Sequence, residues 1–566
     1  MQRVGQGLAW ALQSNRRAMA VLALLALVLF LPGFFTLQPM DRDEPRFAQA
    51  SKQMIETGDA VDIRFQGEAR HKKPVGIYWM QAGIVTLAEK TGVPAARTTI
   101  WLYRLPSLAG AVLSVLLTYW AGLAFMSRRT AFLAAALFAS CVLIGVEARL
   151  AKTDAVVAAT VAATMAVLAR AYLAQAGGAL LPLHQRLIFW SAMAIGLLVK
   201  GPITPMVVIF TALAIWAVTR ERVYLKALGP VSGLILCLAL VAPWFILIFQ
   251  KTGGAFFSES LGDDMLGKVA AGREAHGAPP GTYLAIFWLT AWPLAAFAAL
   301  AAPFAWRDRR DPKVMFLLAW IVPTWLLFEL VPTKLPHYVL PVFPALALMV
   351  GLALEHGDFH AKARWRLFVL ILIPLVAVLG GLAGAVLWYL SGSGYGIAWF
   401  ALVTGVGGSL GLRARRAVIE DAPENGILFA VACAVFMLFN ALAFALTTRA
   451  VDFVSLSPRL ALARALAGAS AGGCAGLAPV TAGYREPSLV FLTSTDLVMT
   501  PGAEAAKFLT AAPCRIAFIE AREEAGFNAA LARPDAARLV SRVQGVNLNG
   551  GRFLDIGVYV QTAGAP

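Results

Sequence analysis

Apolar runs of the length that crosses a bilayer core, about 20 residues, recur along this chain. They lie near residues 18–38, 105–126, 130–146, 154–175, 186–200, 202–219, 228–250, 283–304, 314–331, 339–355, 367–390, 397–412 and 426–448. The pattern predicts about thirteen transmembrane helices, hence a polytopic α-helical membrane protein. The first run follows Arg16-Arg17, as in a signal peptide, but Leu31-Pro32-Gly33-Phe34-Phe35 offers no small-residue cleavage site, so a retained first span is expected.

The loops alternate in character. With the N-terminus inside, the inner loops carry Arg128-Arg129, Arg186, Arg220 with Arg222 and Lys226, Arg307 with Arg309 and Arg310, Lys362 with Arg364 and Arg366, and Arg413 with Arg415 and Arg416. That is the basic bias expected of inner loops. The opposite loops mix acids, bases, His and Tyr: 41–80, E-A-R-L-A-K-T-D at 147–154, Lys200-Gly201-Pro202, 251–282 and T-K-L-P-H-Y at 333–338. Charge bias and span length therefore gather the chemically capable residues on the outer face, and an odd span count puts the C-terminal region there too.

In the loop 41–80, Phe47, Ala50, Met54 and Ile55 recur at helical spacing. Asp41 or Asp43 suits the cap, Pro45 the first turn and Gly58 the end. The reading is an amphipathic helix lying at the membrane surface, with a second one after Pro74 carrying Tyr78 and Trp79. Beyond about residue 452 hydrophobicity falls. A helix is expected over Leu456–Leu466, and strands over Ser488–Thr493, Arg515–Ile519 and Phe553–Val560. Two domains follow: a transmembrane domain at 1–451, including the loop 41–80, and a small α/β domain at 452–566.

Composition agrees. The 566 residues are 59% hydrophobic and 14% charged, against about 25% charged in soluble domains. The net charge of +16 sits in short clusters between apolar runs. No basic stripe interleaved with aromatics points to nucleic acid. Cys141, Cys237 and Cys433 fall inside apolar runs and read as packing residues. Cys474 and Cys514, in an oxidising outer space, can pair or remain two thiols.

Several residues carry candidate chemistry. Asp43 can act as a general base, hold a sugar hydroxyl or amine, or simply cap its helix. Arg46, Lys72 and Lys73 can hold a lipid phosphate or make nonspecific headgroup contacts. Asp154 and Lys200 stand at the outer ends of spans, where ionisable groups are functional candidates; Glu147 and Lys152 share that position. His276 and His337, with Glu68 or His71, could bind a divalent metal such as zinc, although no short ligand spacing supports it. No phosphate-cradling glycine loop or Ser-His-Asp arrangement is present, so nothing points to a nucleotide.

In order, D-R-D-E-P-R-F-A, G-D, K-K-P-V-G-I-Y-W, K-T-D, V-K-G-P, A-H-G-A-P-P and K-L-P-H-Y-V-L-P-V-F-P-A-L-A-L resemble the bacterial ArnT group. These are 4-amino-4-deoxy-L-arabinose transferases of the GT-C glycosyltransferases, relatives of the dolichyl-phosphate-mannose protein mannosyltransferases. The resemblance covers residues 18–355 and extends to the later spans and tail only in architecture. It implies a thirteen-span GT-C enzyme of the bacterial inner membrane, with its active site and C-terminal domain on the periplasmic side. Such an enzyme moves the sugar from undecaprenyl phosphate to a lipid A phosphate with inversion. It thereby lowers negative charge and gives resistance to polymyxin.

On that resemblance Asp43 is the catalytic acidic residue. Arg46, Lys72, Lys73, Tyr78, Asp154, Lys200, His276, Lys334 and Tyr338 are substrate-binding candidates. Lys72 departs from the pattern, since close relatives often carry Glu there. No cofactor is required, and a monomer among membrane lipids is expected. The rival readings are a related transferase with another sugar, such as mannose or galacturonate, or with a protein acceptor. A lipid-linked-sugar transporter would need Pro205, Pro243, Pro323 and Pro374 to break helices around a midplane polar site.

Overall fold

A computed structural model describes residues 2–39, 43–174, 179–260, 262, 277–359, 365–390, 394–447, 453–454, 456–470, 474, 476–547 and 549–561. The chain divides into two compact units. One comprises Met1–Phe34, His71–Ile77 and Arg104–Phe444; the other comprises Phe35–Arg70, Tyr78–Tyr103 and Ala445–Pro566. The expected boundary at 451/452 falls near the end of the first unit, but most of the first polar loop belongs with the C-terminal region.

In the first unit each of the thirteen expected spans meets helix. Among the described residues, eight helices are long and apolar enough to cross a membrane, with Ile203–Thr219 and Leu294–Arg307 as shorter apolar ones. The third and eighth spans are broken into Arg128–Ala139 with Val142–Glu147 and Thr282–Thr290 with Leu294–Arg307. Pro293 explains the second break, because it cannot donate to the preceding turn. Pro243, Pro323 and Pro374 lie inside helices that continue through them, and Pro205 sits in the first turn of Ile203–Thr219. The broken midplane helices that a transporter reading required are not formed at these prolines.

Small and hydroxyl residues bring these helices together. A Cβ on Gly110 would stand 2.8 Å from the backbone of Val156, so Ile100–Gly122 and Asp154–Leu173 cross in near-backbone contact. The Thr160 and Thr204 hydroxyls bond at 2.8 Å. Two buried arginines satisfy the end of the first span. Arg149 donates to Leu29 O and, at 2.8 Å, to Pro32 O, and Arg104 reaches Phe34 O at 3.1 Å. Carbonyls left open at a helix C-terminus take cationic donors well.

The second unit holds a hairpin, β1 (Arg64–Phe65) with β2 (Glu68–Ala69), and a five-stranded sheet. The sheet strands are β3 (Ala478–Ala482), β4 (Val498–Met499), β5 (Arg515–Glu520), β6 (Ala537–Asn547) and β7 (Arg552–Gln561), in the order β4-β3-β5-β7-β6. β3 pairs parallel with β4 and β5; β7 is antiparallel to both its neighbours. Strand alternation builds two cores. Ile516 and Phe518 face one with Leu456, Leu460, Leu489 and Ile556, against which Phe65 also packs; Ala517 and Ile519 face the other with Leu509 and Phe527.

The expected strand at 488–493 is instead part of the helix Pro487–Leu492. A short apolar run does not distinguish strand from buried helix, and Pro487 suits a first helical turn. Strands β3, β4 and β6 are additional to those expected. Cys474 and Cys514 form a disulfide with Cα atoms 5.6 Å apart, while Cys141, Cys237 and Cys433 are buried free thiols.

The helix Asp43–Thr57 forms as expected, as does Gly76–Lys90. The apolar face of Asp43–Thr57 is covered by protein, because Glu44, Pro45 and all of Phe47 to Met54 are buried. Lys52, 4% exposed, donates to Phe491 O at 3.1 Å and lies 3.7 Å from Glu56. Burial pushes this ammonium below its ordinary value of 10.5, and Glu56 opposes the shift. Between the folded value and 10.5 the unfolded chain binds the extra proton, so this unit gains stability as pH rises through that window.

Gly110→Leu is expected to force the Ile100–Gly122 and Asp154–Leu173 helices apart and to cost about 1–3 kcal/mol, the usual range for overpacking. Thermal unfolding of the detergent-solubilised chain measures this, and an unchanged Tm would refute the close-crossing account.

Candidate active site

In the first unit the chemistry gathers where short segments meet. The segment E-A-R-L-A-K-T-D runs from Glu147, the last residue of its helix, to Asp154, the first residue of the next. The Asp154 carboxylate thus sits at a positive helix end, and Lys200, last residue of Leu183–Lys200, at a negative one. Gly201, at φ +63, turns the chain there. The short 3-10 helix Pro336–Val342 supplies His337 and Tyr338.

These groups form one network. Lys200 Nζ pairs directly with Asp154, and Lys152 Nζ lies 3.6 Å from Glu147. The His337 ring joins the two pairs, with Nδ1 3.6 Å from Glu147 and Nε2 3.7 Å from Asp154. Lys200 also stands 5.4 Å from the Tyr338 ring centre. Side-chain exposures of 3–11% for Glu147, Lys152, Asp154, Lys200 and His337 mean water screens them little. Two carboxylates against two ammoniums leave the cluster balanced with His337 neutral, the arrangement that makes burial of charge tolerable.

The predicted binding residues divide. Asp154, Lys200 and Tyr338 come together as expected, and Lys73 is within electrostatic reach of His337. Lys72 is exposed and Lys73 half-buried. Lys334 is a correction. Its ammonium donates to Phe328 O at 3.3 Å, Glu329 O at 2.7 Å and Val331 O at 2.7 Å. Those three bonds use every donor of a lysine, so Lys334 closes the C-terminus of Pro312–Leu330 and has no donor left for a phosphate.

In the second unit Asp43 opens its helix, with Arg46 Nη1 4.0 Å away one turn on. Their side chains are 45% and 27% exposed, enough to meet a ligand. Tyr78 is the other correction. It is wholly buried and stacks on Phe47 at 5.4 Å, which makes it a core residue of this unit.

Part of the expected metal set falls within the described residues. His276 lies outside the described residues, and Glu68 is exposed on β2 of the second unit. Glu147, Asp154 and His337 do offer three donor atoms within 4.8 Å of one another. Lys152 and Lys200 already neutralise those carboxylates, however, so the set fits an ammonium network better than a cation. His71 is buried with Nδ1 3.2 Å from Glu259 Oε2 and its ring 5.6 Å from Phe256, which seats the Lys72-Lys73 segment.

From sequence, Glu147 and Lys152 were candidates only by their place at the span ends, and His337 stood only as a metal candidate. The spacing of Glu147, Lys152 and Asp154 was the available signal, but only the fold brings His337 between them.

Asp154→Asn or Lys200→Met alone leaves a buried charge without its partner. Each is expected to cost about 3–5 kcal/mol, the range for a broken buried pair. The double substitution is expected to recover most of that stability without recovering activity. A double-mutant cycle on unfolding of the detergent-solubilised chain reads the coupling, and additive losses would refute the pair.

Comparison with known proteins agrees with this architecture. Residues 72–247 match the family model for dolichyl-phosphate-mannose-protein mannosyltransferase. The undecaprenyl phosphate-alpha-4-amino-4-deoxy-L-arabinose arabinosyl transferase of Aeromonas salmonicida is 30% identical over 374 residues, 62% of this chain and 65% of the relative. That of Aeromonas hydrophila is 29% identical over 363 residues, 61% and 64% of the two chains. The matches thus span just under two thirds of those relatives. The crystal structure of ArnT from Cupriavidus metallidurans bound to undecaprenyl phosphate superposes with a TM-score of 0.72 at 17% identity, over 95% of this chain and 97% of that one. The chain therefore has the ArnT-like GT-C fold of a multi-pass membrane protein and resembles the aminoarabinose transferases in sequence.

Proposed function

We propose that this chain is an inverting glycosyltransferase that moves 4-amino-4-deoxy-L-arabinose from undecaprenyl phosphate to a phosphate of lipid A, on the outer face of a bacterial inner membrane. The observation that carries the reading is the similarity to transferases of that name over 374 residues. The site chemistry supports it. A polyprenyl phosphate leaves with the electron pair of the broken glycosidic bond and needs cations already in place. Lys72, Lys73 and Arg46 retain exposure for that task. Lys200 and Lys334 pair with a carboxylate and with carbonyls, which supports giving the phosphate role to the three more exposed cations.

The acceptor phosphate oxygen attacks the anomeric carbon from the face opposite the leaving phosphate, which gives inversion. Such an acceptor is already ionised near neutral pH and needs no general base. Asp43 then serves to hold the sugar ammonium or to place the acceptor. The match to the mannosyltransferase family model favours a second reading, in which the acceptor is a protein hydroxyl. A hydroxyl must lose its proton, and Asp43 would be the base.

Expression in a transferase-null Gram-negative strain that still makes the undecaprenyl-phosphate aminoarabinose donor tests the reading. Mass spectrometry of lipid A is expected to show the gain of one aminoarabinose, and Asp43→Asn to abolish it. A folded, membrane-inserted chain that adds no mass would sink the aminoarabinose assignment.

Lys73→Ala is expected to raise the donor KM about tenfold or more, as loss of a charge-assisted phosphate contact does. Unchanged donor KM and kcat would return Lys73 to general headgroup contact.

A further inference from the structure

We propose that the turn Ser494–Leu497 is a positioning element for Asp43, and that Gln66 and Thr495 are its positioning residues. The inference rests on the reading of Asp43 given above. All the groups involved belong to the second compact unit.

Asp43 is the first residue of a helix in which Glu44, Pro45 and all of Phe47 to Met54 are buried. Gln49, Lys52, Gln53 and Glu56 recur at intervals of three, one and three, which puts them on one helix face. The stripe is polar, and its first three members are buried. Apolar packing alone would not select such residues, and their partners explain them. Gln49 Nε2 donates to the Thr495 hydroxyl at 2.8 Å, and that hydroxyl donates to Glu56 Oε2 at 2.6 Å. One Thr side chain thereby ties two points of the helix two turns apart. Lys52 reaches Phe491 O, just ahead of the turn, at 3.1 Å.

Gln66 closes the arrangement. Its amide nitrogen donates to Thr495 O and Leu497 O, both at 2.9 Å. Its backbone exchanges two bonds with the Gln53 side chain, at 2.7 and 2.9 Å. Gln66 does this at φ +56, a conformation that favours glycine. A glutamine held there is retained for its side chain, and that side chain spans from the helix to the turn. The turn is itself fixed, by Leu497 N to Ser494 O at 3.2 Å, by the Ser494 hydroxyl, and by Arg464 holding Thr493 O at 2.6 Å.

The consequence for Asp43 is mechanical. Gln49 lies six residues along, about 9 Å at the rise of a helix, so a tilt of about 6° there moves Asp43 by roughly 1 Å. A displacement of that size is enough to cost up to about 100-fold in rate. Neither Gln66 nor Thr495 needs to touch substrate for this.

The test is steady-state kinetics of the full chain in proteoliposomes, with undecaprenyl-phosphate aminoarabinose and lipid A as substrates. Thr495→Val removes the hydroxyl, and Gln66→Gly relieves the backbone while removing the amide. Both are expected to lower kcat about tenfold or more with the donor KM within about twofold, the split expected for misplacement. Thr495→Ser is expected to restore kcat. Gln66→Gly is expected to keep Tm within a few degrees, since relief of the backbone offsets the lost bonds. If both variants keep kcat within twofold while Asp43→Asn abolishes transfer, the positioning proposal is wrong and the role of Asp43 stands. A lower Tm with unchanged kcat overturns the proposal in the same way, because it marks a structural role only. If Asp43→Asn turns over normally, or the wild-type chain does not turn over this pair, the underlying reading falls and the positioning proposal with it.

Discussion

Burying two carboxylates and two ammoniums at the ends of apolar helices is costly unless they neutralise one another, and the membrane unit is built around that constraint. Glu147 and Asp154 end one helix and begin the next, Lys152 lies between them, and Lys200 arrives from the end of a third. His337 reaches both carboxylates from the 3-10 turn. Any relative shift of these helices would separate a charge from its partner. The close crossing at Gly110 and the Thr160–Thr204 pair both hold the Asp154–Leu173 helix, which is central to the network. Packing and electrostatics therefore demand one geometry.

That constraint separates cations by task. Lys200 answers a carboxylate, and Lys334, Arg104 and Arg149 answer backbone carbonyls. A cation committed in this way has little left for a substrate phosphate. Lys72, Lys73 and Arg46 keep more exposure. Sequence position at the outer end of a span does not distinguish the two kinds. Burial does, and it is set by packing against residues from elsewhere in the chain.

The second unit obeys a related rule at a soluble core. Its helix Asp43–Thr57 buries a polar stripe, and every buried polar group needs a partner. Thr495, Phe491 and Gln66 supply those partners. The first polar loop thus folds with the C-terminal region, although residues 104–444 of the other unit lie between them in the chain. The disulfide Cys474–Cys514 closes the segment that contains the turn, and cross-linking such a segment restricts the unfolded chain.

The sequence by itself determined the membrane scaffold. A run of apolar residues long enough to cross a bilayer leaves the backbone few options but helix, and all thirteen expected spans contain it. It also determined the helix that opens at Asp43, because capping and periodicity are local. The tertiary structure decided what each helix faces. The apolar positions of Asp43–Thr57 read as a membrane-surface face, yet the helix is buried on nearly every side. Periodicity reports that a face is covered and not what covers it. For the same reason Ser488–Thr493 read as a strand and β6, mostly exposed, passed unseen. Charged residues at the span ends were legible as candidates, but their pairing was not. The contacts among Glu147, Asp154, Lys200 and His337 join positions up to 190 residues apart, and only the packing of the helices brings them within reach.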